Sequence, residues 1–170
     1  NPVVVTLSMW GGVISHFSCL IMAIHFGSRY ETQTMSTNQR LLLISNSTLY
    51  ARGYLDHAES EIKDILGNVS SLLFVQFALY DRDSYTARAR ERFQRMGFDL
   101  HSLHSARDPQ QAVTDAEAIF IGGGNTFRLL KALYEWDVLE AIRERVAEGV
   151  LYVGSSAGSN VAAPSIKTTN

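Results

Sequence analysis

The sequence predicts an α/β fold with a mostly parallel sheet flanked by helices, and three observations carry that expectation. Short apolar runs recur along the chain, each followed by a segment whose apolar residues have helical spacing. Glycines end those segments at Gly67, Gly97 and Gly149. Two turns of small residues, Gly122-Gly123-Gly124 and Gly154-Ser155-Ser156-Ala157-Gly158, each follow an apolar run and precede a helical stretch.

The elements follow in order. Residues 41–44 are a continuous apolar run closed by Ser45-Asn46-Ser47-Thr48, the pattern of a buried strand and turn. Residues 54–66 place apolar side chains at Tyr54, Leu55, Ala58, Ile62, Ile65 and Leu66, which predicts a helix. Residues 72–79 are apolar except for Gln76 and predict a second strand. Asp83 or Ser84 is expected to cap a helix running to Met96. Residues 98–103 alternate polar and apolar, so they read as a third strand, at an edge. Pro109 suits the first turn of a short helix ending near Ala116. Residues 118–121 form a fourth strand, residues 126–134 and 138–148 two helices, and residues 150–153 a fifth strand.

A chain of 170 residues holds one ordinary domain. Its 46% apolar and 19% charged residues exclude global disorder, and a formal net charge of −2 argues against a nucleic-acid partner. The single cysteine, Cys19, cannot form an internal disulfide, so a stapled secreted scaffold is excluded and a cytoplasmic protein is expected. The sequons at Asn46 and Asn68 are then read as chance triplets.

Residues 1–28 carry no Asp, Glu, Lys or Arg. Polar residues and glycines interrupt this hydrophobic stretch and no basic residue precedes it, so it reads less as a membrane segment than as an N-terminal extension without a defined role. The domain boundary is expected near Met35, giving an extension over 1–34 and an α/β domain over 35–170.

The two small-residue turns carry the chemistry. Gly154-Ser155-Ser156-Ala157-Gly158 matches G-x-S-x-G between a strand and a helix, the context of a nucleophile elbow. A sharp turn there would hold the Ser156 hydroxyl clear of the sheet, near a helix N-terminus that favours developing negative charge. Gly122-Gly123-Gly124-Asn125-Thr126 exposes backbone N–H groups that suit an oxyanion hole or a phosphate. It lacks the third glycine of the dinucleotide fingerprint and the Lys of a Walker A loop. In a parallel sheet both turns meet on the same edge, one offering a nucleophile and the other backbone donors. Taken singly, each turn also reads as an ordinary tight strand-to-helix connection.

At this point the sequence resembles a known family. Ile121-Gly122-Gly123-Gly124-Asn125-Thr126-Phe127, Tyr152-Val153-Gly154-Ser155-Ser156-Ala157-Gly158-Ser159-Asn160 and Thr168-Thr169-Asn170 are similar to peptidase E, the α-aspartyl dipeptidase family, as is Leu42-Leu43-Ile44-Ser45-Asn46-Ser47-Thr48. The resemblance implies a class I glutamine-amidotransferase-like fold. It also implies hydrolysis of dipeptides with an N-terminal aspartate by a serine nucleophile, with no metal or other cofactor. Ser156 matches the nucleophile, Gly123, Gly124 and Ala157 the oxyanion-hole region, and Asn125 and Thr126 the loop beside the substrate aspartate. Ser155 departs from the Trp that bacterial members often carry, a position that shapes the pocket wall.

The family's catalytic histidine lies downstream of the nucleophile, with an acid beyond it, whereas no His, Asp or Glu follows Ser156 here. A serine hydroxyl needs a base. All five histidines, His16, His25, His57, His101 and His104, precede it, and His101 and His104, which follow the third strand, are the candidates to approach the ligand edge. The sequence therefore reads as a serine dipeptidase incomplete at its C-terminus, with weak or no activity of its own. The competing class is an inactive truncated isoform or an interaction module. A nucleotide-binding domain using the glycine turn is a third reading, for which no binding is expected.

Overall fold

The computed structural model describes residues 39–163, Ile166, and the backbone of residues 3–7. Six parallel strands run in chain order: β1 (Val3–Leu7), β2 (Arg40–Ile44), β3 (Ser71–Val75), β4 (Asp99–Ser102), β5 (Ala118–Ile121) and β6 (Leu151–Ser155). Their order across the sheet is β1-β2-β6-β5-β3-β4. The helices are α1 (Glu59–Leu66), α2 (Arg82–Met96), α3 (Pro109–Thr114), α4 (Thr126–Glu135), α5 (Leu139–Ala147) and α6 (Ala157–Val161).

Alternation along each strand builds a core on both faces. In β5, Ala118 and Phe120 join Leu42, Ile44, Leu72, Phe74 and Val153 beneath α1 and α2. Ile119 and Ile121 join Leu41, Leu73, Val75 and Tyr152 beneath the other helices. The crossovers β2-α1-β3 and β3-α2-β4 step one way along the sheet, and those from β4 to β5 and β5 to β6 step back. Parallel crossovers are right-handed, so reversing direction puts the helices on the opposite face.

Several elements differ from the sequence reading. The second strand stops at Val75, because Gln76, Phe77 and Ala78 leave the sheet in a buried turn. The first helix begins at Glu59: Leu55 adopts a left-handed backbone, φ 58°, which interrupts the expected helix over 54–66 after its first residues. The cap of α2 is Asp81, not Asp83 or Ser84; its carboxylate accepts from the Ser84 N–H at 3.0 Å. The last strand runs on to Ser155, and β4 is the expected edge strand.

Val3–Leu7 lies within the expected N-terminal extension, yet its backbone pairs with β2 in register Val5 to Leu42. The membrane reading of the remainder of that extension falls on residues outside those described. Among the described residues no helix is long and apolar enough to cross a membrane.

Candidate active site

The site lies at the carboxyl ends of β2, β6 and β5, where open parallel sheets bind ligands. β6 ends at Ser155 and α6 starts at Ala157, so Ser156 alone makes the turn. It does so at φ 51°, ψ −107°, a conformation costing a non-glycine residue about 1–3 kcal/mol. Its N–H donates to the Ile44 carbonyl at 2.8 Å, which ties the turn to β2. The Ser159 hydroxyl lies 2.9 Å from both the Ile44 and Gly154 carbonyl oxygens and fastens the first turn of α6 to the same place.

The glycines of the motif are spacing requirements. A Cβ on Gly154 would lie 2.8 Å from the Gly158 carbonyl, and one on Gly158 would collide with the Ile121 carbonyl at the end of β5. Buried Tyr152 reaches up from β6 and donates its hydroxyl to the Gly158 carbonyl at 2.6 Å. Helix α6 thus packs on the strand ends with no room for a methyl group.

The glycine turn closes the other side. A Cβ on Gly123 would stand 3.0 Å from the Ser156 Cβ, 2.7 Å from the Ser47 hydroxyl and 3.2 Å from the Ser155 carbonyl, so the turn abuts the serine directly. Two of its N–H groups are committed: Gly122 donates to the Val75 carbonyl at 3.1 Å and Asn125 to the Ala78 carbonyl at 3.0 Å. Gly124, at φ 139°, has no hydrogen-bond partner for its N–H among the described residues. The Ala157 N–H opens α6, where helical N–H groups have no intrahelical acceptor.

The other candidates occupy structural positions. Asn125 Oδ1 caps α4 by accepting from the Arg128 N–H at 2.8 Å, and the Thr126 hydroxyl accepts from Asn160 at 3.1 Å, joining α4 to α6. Both stand beside the serine turn, with their side chains held by these bonds. Ser155 is 0% exposed, and its hydroxyl lies 2.5 Å from that of Ser47. Reading the sequence segment after β2 only as a turn missed Ser47. The available signal was its place at the carboxyl end of the strand that neighbours β6.

His101 and His104 do not complete the site. His101 and His104 follow or lie on β4, with β3 and β5 between it and β6, three strand spacings of about 4.8 Å. His104 instead faces Asp83, Nε2 to Oδ1 at 3.6 Å. His16 and His25 lie outside the described residues, as does Thr168-Thr169-Asn170. No cluster of three or more metal-ligating side chains occurs among the described residues.

A cleft of about 760 Å³ opens nearby, lined by Tyr80, Arg82, His104, Phe127, Arg128 and Lys131 among others. Two of its cations are engaged: Arg128 stacks 3.5 Å over the Tyr80 ring and Lys131 pairs with Glu135. Ser156 does not line it, so chemistry rather than cleft size marks the site.

A serine held on a strained strand-to-helix turn against a glycine turn, at the carboxyl edge of a parallel sheet, has the arrangement found in hydrolases of the α/β class. Comparison with known proteins narrows this. Peptidase family S51 matches residues 41–170, and the chain belongs to that family. It is 50% identical over 139 residues to a Drosophila melanogaster protein named "Probable alpha-aspartyl dipeptidase", across 80% of this chain and 58% of the fly protein. It is 48% identical over 130 residues to Peptidase E of Streptomyces coelicolor, across 76% of this chain and 54% of that one. The chain thus spans little more than half the length of these relatives. A crystal structure of a peptidase E-type protein from Listeria monocytogenes EGD-e superposes with a TM-score of 0.61 at 21% identity, over 75% of this chain and 63% of that chain, a likeness of fold.

Proposed function

We propose that the protein is a serine dipeptidase of the peptidase E type, cleaving dipeptides with an N-terminal aspartate, with Ser156 as nucleophile. The observation that carries the reading is the backbone of Ser156 at φ 51°, ψ −107°, with Gly123 packed against it. A fold does not hold a serine in such a conformation without compensation from its neighbours. The names of the relatives supply the substrate class.

In this reading Ser156 Oγ attacks the carbonyl carbon of the Asp–X bond and its proton passes to a base. The carbonyl oxygen becomes an oxyanion, received by the N–H groups of Gly124 and Ala157. The C–N bond then breaks, the base returns the proton to the leaving amine, and water hydrolyses the acyl-serine by the same route. Gly123 holds its place against the serine. Asn125 and Thr126 line the approach for the substrate's aspartate. The described residues bring Ser156 no base, so the reading requires one from outside them. The protein acts in the cytoplasm on small peptides, without a cofactor.

The test is release of p-nitroaniline from aspartyl-p-nitroanilide, with Ser156→Ala alongside and circular dichroism as a folding control. Turnover by the wild type that Ser156→Ala abolishes supports the reading. Turnover that survives in Ser156→Ala overturns it.

A further inference from the structure

We infer that Ser47 is a catalytic residue for hydrolysis, its hydroxyl donating a third hydrogen bond to the oxyanion formed on Ser156. The inference rests on the reading of Ser156 as nucleophile.

Ser47 follows β2, and one point in the glycine turn fixes its place beside the nucleophile. A Cβ on Gly123 would stand 2.7 Å from the Ser47 Oγ and 3.0 Å from the Ser156 Cβ. Because glycine leaves that point empty, the Ser47 hydroxyl and the Ser156 side chain border the same gap. Gly123 also precedes Gly124, whose N–H is aimed at the oxyanion in the proposed reaction.

Backbone contacts hold Ser47 independently of its hydroxyl. Its carbonyl accepts from the Leu55 N–H at 2.8 Å, and Leu55 is 0% exposed at φ 58°. The turn after β2 is therefore closed before the side chain makes any contact.

Burial decides which way the serine pair is hydrogen-bonded. Among the described residues the hydroxyl of fully buried Ser155 meets only that of Ser47, at 2.5 Å, whereas Ser47 is half-buried. If Ser47 donated, the Ser155 proton would be buried without an acceptor, which is costly. Ser155 therefore donates and Ser47 accepts. The Ser47 proton is left without an acceptor among the described residues, at the more open end of the pair and beside Ser156.

A neutral hydroxyl suits the oxyanion better than the side chain of the substrate's aspartate. It would donate to an amide oxygen as readily as to a carboxylate, so it selects neither. The oxyanion, by contrast, forms only on attack, and a donor fixed there beforehand favours the transition state over the bound substrate. The Ser47 proton stays on its own oxygen throughout.

The test uses the whole protein and two probes. On aspartyl-p-nitroanilide, Ser47→Ala should lower kcat about tenfold or more with KM within about twofold. The same change made in Ser155→Ala should again lower kcat about tenfold relative to Ser155→Ala alone. In that background no buried proton is orphaned by the loss of Ser47, so a merely structural role would leave kcat unmoved. The boronic acid analogue of aspartate forms a tetrahedral adduct with a serine. It should bind Ser47→Ala about tenfold more weakly, while aspartate itself binds within about twofold of wild type.

A fall in kcat that disappears in the Ser155→Ala background makes Ser47 a prop for Ser155 and overturns the inference. A raised KM with kcat kept, or boronate affinity unchanged in Ser47→Ala, overturns it as well. If Ser47→Ala alone does not fold, the comparison within Ser155→Ala decides, and if the wild type shows no turnover, the boronate affinities decide. Failure of the nucleophile reading shows separately, as turnover or boronate affinity in Ser156→Ala equal to wild type. A wild type that neither turns over nor binds the boronate removes that reading and the inference with it.

Discussion

Ser156 hands its backbone N–H to the carbonyl oxygen of Ile44 at 2.8 Å, so a residue at φ 51° is pinned across the sheet from the neighbouring strand. The strain belongs to the Cβ, not to the hydroxyl. Ser156→Gly should therefore raise stability by about 1 kcal/mol, whereas Ser156→Ala should leave it within about 0.5 kcal/mol. Thermal denaturation of the two variants checks this, and equal melting temperatures would show that the turn is unstrained.

The two glycines nearest the serine should respond differently to alanine. Gly158 faces the rigid Ile121 carbonyl, so Gly158→Ala should cost about 3 kcal/mol or more and leave little folded protein. Gly123 faces the Ser47 hydroxyl, which can rotate away, and the Ser156 Cβ, which cannot easily. Gly123→Ala should cost about 1–2 kcal/mol but abolish hydrolysis. Urea titration together with the nitroanilide assay separates the two outcomes.

Capping gives a third contrast. Asp81→Ala should destabilise by about 1 kcal/mol, because it removes the acceptor for the Ser84 N–H. Asp83→Ala, at an exposed position two residues on, should change stability by less than about 0.5 kcal/mol. Chemical denaturation with an unchanged m-value is the measurement.

Alkaline stability should depend on the tyrosine pair. Burial, followed by the mutual repulsion of the two phenols, holds Tyr54 well above its ordinary pKa, and burial raises Tyr85. Raised folded values mean that the contribution is complete below about pH 10, the unfolded value. It is lost as pH rises through the folded values. Stability should fall above pH 10, and Tyr54→Phe with Tyr85→Phe should flatten that fall. An unchanged slope in the double variant would assign alkaline loss to other groups.

Most strands were legible because parallel strands buried on both faces are apolar runs with nothing else to explain them, as at Ala118–Ile121. The second strand was overextended for the same reason. Phe77 and Ala78 are as buried in their turn as strand residues are, so composition could not mark the end at Val75. Asp81, Asp83 and Ser84 are all fair capping residues within four positions, and only backbone geometry selects Asp81. The serine turn was readable because G-x-S-x-G between an apolar run and a helical stretch marks a sharp strand-to-helix turn. Ser47 was not, since a serine after a strand looks like an ordinary turn residue until the sheet brings it against a glycine turn far along the chain.

The strand order has a consequence for how the molecule is made. β6 lies between β2 and β5, and no other described strand hydrogen-bonds both. While the chain emerges from the ribosome, β3, β4 and β5 can pair among themselves, but β2 has no link to that group. Residues 151–155 arrive last of the six described strands and must slide into the gap as a central plank. Ser156 is thus delivered by the keystone of the sheet, and a newborn chain cannot present it at the strand ends before the two halves have joined. Pairings so distant in sequence close slowly, which leaves the edges of both halves open to chaperones until that moment.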